Sequence, residues 1–164
     1  RSFKKEVTDE KIKKEMTDEF IDFYSKNIAN DSTPINGIFE FLDWAKTKKI
    51  SMAICTNKQE RLAVDLLKKL KLFDYFEYVA GSDTFNFNKP DPRHLTDVVE
   101  IIGGDLKKTI MVGDSEVDEM AATNAKLPFV LVADGYTEKS ADQIKHDFYI
   151  KDYLDFDKII SKYL

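Results

Sequence analysis

Three short polar segments of this 164-residue chain contain the residue types from which a phosphate-handling site can be built. Thr56 and Asn57 offer a hydroxyl and an amide, Lys89 offers a cation, and Asp114 opens an acidic stretch. Such groups can hydrogen-bond a phosphoryl oxygen, neutralise its charge and bind a divalent cation. The rest of the sequence indicates whether the fold can bring the three segments together.

Thr56 and Asn57 directly follow an apolar run, residues 50–55, which we predict to be a buried strand. A hydroxyl and an amide beside the N–H groups of the following helix could hold a phosphate. Helix capping explains the same residues, because Asn57 is a good N-cap and Glu60 stands where a capping box needs it. The two interpretations are compatible, since the start of a helix is what creates an anion site.

Lys89 stands just before two prolines that restrict its backbone. Pro92 suits the first position of a helix and Asp91 suits its cap, so the local geometry by itself requires no function. A rigidly held lysine could neutralise a phosphate or a carboxylate, and the alternative is an ordinary solvated lysine. We expect His94 to be a capping or buried, hydrogen-bonded histidine rather than a substrate contact.

The third segment, residues 113–118, follows a predicted strand over residues 109–112. Gly113 lets the chain turn closely at the strand end, so that Asp114 projects from it. Carboxylate oxygens suit Mg²⁺, which usually takes one or two protein carboxylates and completes its shell with water and substrate phosphate. Capping again competes, with Ser115 as N-cap and acidic residues in the first helical turn. Four acidic residues in positions 114–119 exceed what a cap requires, so we predict that Asp114 binds Mg²⁺.

The elements that must position these segments alternate along the chain. Helical periodicity with apolar stripes covers residues 1–30, 35–48, 57–70, 92–102, 115–125 and 153–164. Short apolar runs predict strands at residues 50–55, 78–80, 109–112, 129–132 and 148–150. This alternation predicts an α/β fold, a parallel sheet covered by helices on both faces. Ligands bind at the carboxyl ends of the strands in such sheets, which is where the three segments fall.

Composition excludes several classes of protein. Lys and Arg total 25 against 30 Asp and Glu, and a net charge of −5 argues against general binding to nucleic acid or to anionic membranes. One cysteine excludes a disulfide framework and a multi-cysteine zinc site. There is neither an apolar run long enough to span a bilayer nor a signal peptide in residues 1–15, so we expect a cytoplasmic protein.

The order and spacing of the three segments resemble the haloacid dehalogenase-like (HAD) hydrolase superfamily, with a Rossmann-like three-layer core. Thr56-Asn57 is similar to its second motif, Lys89-Pro90 to its third, and residues 113–118 to its fourth. Residues 81–85, 89–95, 103–105 and 135–137, together with 55–58, are similar to stretches of bacterial phosphoglycolate phosphatases. The resemblance runs over about residues 34–155.

The resemblance implies a role for each matching residue. Thr56 would hydrogen-bond a phosphoryl oxygen, with Asn57 contributing beside it, and Lys89 would offset the charge of nucleophile and phosphate. Asp114 would bind Mg²⁺, and Asp118 would steady the waters of the metal or Lys89. These parts supply the positioning and electrostatics on which phosphoryl transfer depends.

The resemblance also implies parts that this sequence does not contain. The family's nucleophile lies in an Asp-x-Asp motif on a strand before the cap, and no such motif occurs here in the expected place. We therefore interpret residues 1–33 as part of a small helical cap and residues 34–164 as a HAD-like core without its N-terminal strand. That strand should be central, leaving two edges unpaired. The chain by itself should be inactive, and the intact protein a phosphatase.

The expected substrate is a small phosphorylated metabolite, 2-phosphoglycolate first, bound by a monomer or homodimer. Its carboxylate needs a partner of its own, either in residues 26–32 or in the loop 82–88. Alternatives are another sugar-phosphate phosphatase, a phosphoglucomutase, or a non-catalytic binding domain with the same fold. A receiver domain also uses Asp, Thr and Lys around Mg²⁺, but its Asp cluster comes first along the chain, the opposite of the order here.

Overall fold

The computed structural model describes residue 12, residues 32–133, residues 135 and 137, and residues 139–162. The chain divides into two compact units, Arg1–Ser32 and Thr33–Leu164. Ile12 is helical and exposed, and the rest of the predicted helix over residues 1–30 lies outside the described residues. The assignment of residues 1–33 to a cap therefore stays a prediction.

Helices and strands alternate in the larger unit as predicted. The helices are α1 (Ile38–Thr47), α2 (Glu60–Lys69), α3 (Arg93–Ile101), α4 (Glu116–Ala125) and α5 (Phe156–Ile160). The strands are β1 (Ala53–Cys55), β2 (Tyr78–Ala80), β3 (Met111–Gly113), β4 (Phe129–Val132) and β5 (Phe148–Ile150). Short 3₁₀ turns occupy Phe73–Tyr75, Leu106–Lys108 and Ala141–Gln143.

All strand pairs in the described part of the chain are parallel, but they form two sheets. β1 pairs with β2, with Ile54 opposite Val79. β3, β4 and β5 form the second sheet in that order, with Val112 opposite Val130. The division falls between β1 and β3, which are not hydrogen-bonded to each other. Each of these two strands is only half-buried, whereas every residue of β4 is buried.

Helices cover both faces of the strands. Alternate residues of β4 point to opposite sides: Phe129 and Leu131 pack with α3 and α4, and Val130 and Val132 pack with α1 and α5. α3 contacts β1, β2 and α4, while α4 contacts β3 and β4, so one helical layer lies over both sheets. The predicted three-layer α/β/α architecture is confirmed.

The elements are generally shorter than the apolar patterns that predicted them. β1 begins three residues later than predicted, and α5 covers five residues of the twelve-residue pattern. Ile50 and Ile110, just outside β1 and β3, still pack into the core between the sheet and α1 and α5. The apolar pattern of the sequence indicates which residues are buried. Buried residues extend beyond the hydrogen-bonded strands and helices, so the observed elements are shorter than the patterns. No helix within the described residues is long and apolar enough to cross a lipid bilayer.

Candidate active site

Lys89 is a buried residue that three contacts hold in place. Its side chain is 9% exposed, and its Nζ donates to Oδ1 of Asp118 at 2.5 Å. Its backbone carbonyl accepts from Nδ2 of Asn57 at 2.9 Å, and its backbone N–H donates to Nδ1 of His94 at 3.2 Å. Lys89 is therefore not the solvated surface lysine that the sequence left open as an alternative.

Asp118 receives hydrogen bonds on both of its carboxylate oxygens. Oδ1 faces Lys89, while Oδ2 accepts from Oγ of Ser115 at 2.8 Å and from the backbone N–H groups of Asp114 and Ser115 at 3.1 and 3.2 Å. Burial by itself raises the pKa of Asp118, but the charge of Lys89 and these hydrogen bonds outweigh burial and lower the pKa below its ordinary value. The carboxylate is therefore charged at neutral pH, and its hydrogen bonds connect the start of α4 to Lys89.

The contacts of Asp118 also bear on the capping interpretation of residues 113–118. Ser115 is the N-cap of α4, as the capping interpretation predicts, and its contacts with Asp118 form a capping box. Gly113 has to be a glycine here, because a Cβ on it would lie 2.5 Å from Cγ of Asp118. The cap and the ion pair with Lys89 therefore use the same carboxylate.

The prediction that Asn57 caps α2 is wrong. α2 begins at Glu60, and the side chain of Asn57 crosses to the carbonyl of Lys89 instead. The N–H of Glu60 is satisfied by Oδ1 of Asp83 at 2.8 Å, from the loop that follows β2. A capping group 23 residues away along the chain has no signature in the local spacing. The amide of Asn57 thus ties the end of β1 to the loop of Lys89.

Thr56 lies directly after the carboxyl end of β1. Its backbone N–H donates to the carbonyl of Ala80 at 2.9 Å, which continues the pairing of β1 with β2. Its Oγ1 accepts from the backbone N–H of Lys58 at 3.1 Å. A hydroxyl that accepts in this way still carries a proton to donate, so it suits an anionic oxygen.

Asp114 follows the carboxyl end of β3 and lies beside a cavity of about 320 Å³. Gly135 packs so closely against it that a Cβ there would lie 2.5 Å from Cβ of Asp114. A carboxylate is a hard oxygen donor, and it fits a Mg²⁺ ion that keeps water and phosphate as its other ligands. No trio of His, Cys, Asp or Glu converges within the described residues. Both carboxylate oxygens of Asp118 are already hydrogen-bonded to protein groups.

Thr137, which also lines this cavity, makes a contact that the sequence did not predict. Oγ1 of Thr137 donates to Oε2 of Glu116 at 2.6 Å, which is the main cause of a lowered pKa at Glu116, and the charge of Lys139 adds to this effect. Lys139 also lines the cavity. Thr137 and Glu116 are 21 residues apart, so no local pattern could have paired them.

The loop proposed for a substrate carboxylate, residues 82–88, contacts α2 and α3. Thr84 donates from Oγ1 to Glu60 at 2.6 Å. Phe85 and Phe87 stack with their centroids 5.4 Å apart, and the guanidinium of Arg93 lies over the ring of Phe87. The other proposed segment, residues 26–32, lies outside the described residues except for Ser32.

Hydrogen bonds thus connect all three predicted segments: Asn57 to Lys89, Lys89 to Asp118, and Asp118 to the backbone of Asp114. These segments meet at the carboxyl ends of β1 and β3. A larger cavity of about 440 Å³ lies at the amino ends of β1 and β2, lined by residues such as Lys46 and Glu77. Because its lining contains none of the connected residues, we place the chemistry at the carboxyl ends.

The family model for haloacid dehalogenase-like hydrolases matches residues 1–132. The chain belongs to the haloacid dehalogenase-like hydrolase family. It is 43% identical over 148 residues to the phosphoglycolate phosphatase of Agrobacterium fabrum, covering 87% of this chain and 64% of the relative. It is 40% identical over 139 residues to that of Caulobacter vibrioides, covering 85% of this chain and 59% of the relative. The chain thus spans about three fifths of the length of these HAD relatives.

Solved HAD structures share the fold. A predicted phosphoglycolate phosphatase from Haemophilus somnus superposes with a TM-score of 0.85 at 26% identity, covering 92% of this chain and 68% of that one. A β-phosphoglucomutase from Clostridium difficile superposes with a TM-score of 0.78 at 22% identity, covering 98% and 70%. The second likeness concerns the fold alone.

Proposed function

We propose that the whole protein is a Mg²⁺-dependent phosphatase for small phosphomonoesters, with 2-phosphoglycolate as the first substrate to test. The observation that carries the proposal is the hydrogen-bonded connection from Asn57 through Lys89 and Asp118 to Asp114 at one edge of the strands. The identity to phosphoglycolate phosphatases supports the choice of substrate.

Each residue has a physical task in this proposal. The hydroxyl of Thr56 donates to a phosphoryl oxygen, and the ammonium of Lys89 neutralises charge on the phosphate. An ammonium has three N–H donors, so the bond to Asp118 does not exhaust those of Lys89. Asp114 holds Mg²⁺, which would supply charge neutralisation when bound. Fixed charges of this kind act without reorganising as the reaction proceeds.

The nucleophilic carboxylate, in this proposal, comes from a strand between β1 and β3. Both strands are apolar and half-buried, and each has a hydrogen-bonded partner on one side, β2 or β4. The layer of α3 and α4 lies over both. A parallel strand inserted there would satisfy both edges. Its carboxyl end would place a carboxylate between Thr56 and Asp114, where it could attack phosphorus while the ester P–O bond breaks and the protonated alcohol leaves. Water would then hydrolyse the aspartyl-phosphate to the free carboxylate and inorganic phosphate.

The test is phosphate release by the intact protein from a panel of small phosphomonoesters that includes sugar phosphates, with Mg²⁺ and with chelator. We expect 2-phosphoglycolate to be hydrolysed best. Lys89→Met and Asp114→Asn should each lower kcat/KM by about a hundredfold or more. Lys107→Met, at an exposed lysine before β3, is the control and should stay within about twofold, since surface charges contribute little.

Two outcomes would refute the proposal. Activity of Lys89→Met and Asp114→Asn equal to that of Lys107→Met would remove those residues from the site. The 164-residue chain by itself should release no phosphate, and clear turnover by it with Mg²⁺ would show that no additional strand is needed. Preference for a hexose phosphate would favour the sugar-phosphate alternative instead.

A further inference from the structure

We propose that His94 is a positioning residue: its ring accepts the backbone N–H of Lys89 and thereby sets where the ammonium of Lys89 meets a phosphate. The effect on the phosphate rests on the proposed function, whereas the contact between His94 and the N–H of Lys89 does not. His94 lies in the first turn of α3, five residues after Lys89, so its ring reaches back over the loop that leads into its own helix.

The ring of His94 cannot itself be a substrate contact, because it is completely buried. The edge of Phe85 packs against it with centroids 5.9 Å apart, and the thiol of Cys55 lies against its backbone carbonyl at 3.5 Å. The adjacent Leu95 is part of the core formed with α4. A histidine at such a place acts on the site only through another residue.

Only one ring nitrogen of His94 is hydrogen-bonded within the described residues. Nδ1 accepts from Lys89, whereas Nε2 makes no hydrogen bond of good geometry, although the backbone of Gly81 is close enough to affect the ring. A buried polar group without a partner is unfavourable, and an aliphatic side chain would avoid that penalty. The feature that distinguishes histidine from leucine here is the acceptor at Nδ1.

The surroundings keep that acceptor available. Burial lowers the pKa of His94, and the positive charge of Lys89 lowers it further. The ring is therefore neutral at pH 7, with Nδ1 unprotonated and the proton on Nε2. Lys89 is thus held at three points: its N–H by His94, its carbonyl by Asn57 and its Nζ by Asp118. Without the contact to His94, the backbone N–H of Lys89 would lose its hydrogen-bond acceptor.

The test compares His94→Asn with His94→Leu in the 164-residue chain. Asparagine can place an oxygen near the position of Nδ1, and leucine has a similar branched shape without an acceptor. We expect the amide of Lys89 to exchange its proton with solvent at least five times faster in His94→Leu than in the wild type, with His94→Asn close to wild type. In a titration with inorganic phosphate and Mg²⁺, His94→Leu should bind about five- to tenfold more weakly, the loss of one hydrogen bond, and His94→Asn within about twofold.

A role in core packing alone predicts another ranking. Leucine should then equal or exceed asparagine in thermal stability, amide protection and phosphate affinity together. Equal exchange of Lys89 in the two variants would overturn the inference, as would a wild-type nitrogen spectrum showing the proton of His94 on Nδ1 at pH 7. That spectrum needs no variant to fold. If the wild type does not bind phosphate, that result contradicts the proposed function. The exchange rate of the Lys89 amide then tests the role of His94 by itself.

Discussion

Replacing Asp118 by asparagine should destabilise the chain far more than removing an ordinary ion pair. Asp118 and Lys89 are 6% and 9% exposed in their side chains, and Oδ2 of Asp118 accepts three further hydrogen bonds. Removing one partner of a buried pair leaves the other charge uncompensated, which costs about 3–5 kcal/mol. We expect Asp118→Asn to lower the free energy of unfolding by about 3 kcal/mol. This value is at the lower end of that range because asparagine can keep some contacts with Ser115.

The chain contains a matched control for this substitution. Asp155 and Lys158 are also 2.5 Å apart, but their side chains are 76% and 73% exposed. Exposed pairs typically contribute under about 1 kcal/mol, so Asp155→Asn should cost at most that. Urea unfolding of both variants at pH 7 is the assay. The reasoning is refuted if the two variants lose the same stability.

The pH dependence gives a second check on Asp118. Its pKa is lowered from the ordinary value of 3.8, so the folded state binds its proton less readily than the unfolded state does. The stability it contributes is therefore fully present above pH 3.8 and is lost as the pH falls through the folded pKa. The difference between wild type and Asp118→Asn should be constant from pH 7 to about pH 5 and shrink below about pH 4. A difference that grows in acid would contradict the pairing with Lys89.

Three further predictions concern the surroundings of this pair. Gly113→Ala should cost about 2 kcal/mol in urea unfolding, because the new methyl displaces Asp118, and a loss under about 0.5 kcal/mol would contradict the close approach. Asn57→Leu should cost about 1 kcal/mol by losing its bond to Lys89, and unchanged stability would show that the contact is not formed. Burial raises the pKa of Cys55 to about 11, so iodoacetamide at pH 8 should alkylate the folded chain at least tenfold more slowly than the urea-unfolded chain; equal rates would disprove this.

Sequence reasoning succeeded where burial and local spacing decide the structure. β2, β4 and β5 have the predicted bounds, because each is a short, compact apolar run. Ser115 was also predicted as the N-cap of α4, with acidic residues in the first turn, although its capping box with Asp118 was not predicted. The same local rules placed Thr56 and Asp114 at strand ends, which is enough to bring them to one edge of a parallel sheet.

Contacts between distant segments could not be predicted in this way. The local spacing predicts Asn57 as the cap of α2. In the structure Asp83 accepts the N–H of Glu60 at the start of α2, and Asn57 donates to the carbonyl of Lys89. Local spacing left Lys89 ambiguous because its partner Asp118 lies 29 residues further along the chain, and only the family resemblance implied a contact between the two. A single sequence contains no periodic signal for such pairs. They are determined by the way α3 and α4 pack over the strands.

We propose that residues after β1, before α3 and after β3 surround one cation and one phosphate. Mn²⁺, a paramagnetic substitute for Mg²⁺, tests it directly in ¹H–¹⁵N spectra of the chain with inorganic phosphate. We expect the amide signals of Thr56, Lys89 and Asp114 to broaden together, those of Ser51 and Glu77 at the amino ends of β1 and β2 to stay sharp, and Asp114→Asn to abolish the effect. Broadening that spares Thr56 and Lys89, or that survives Asp114→Asn, would contradict the account.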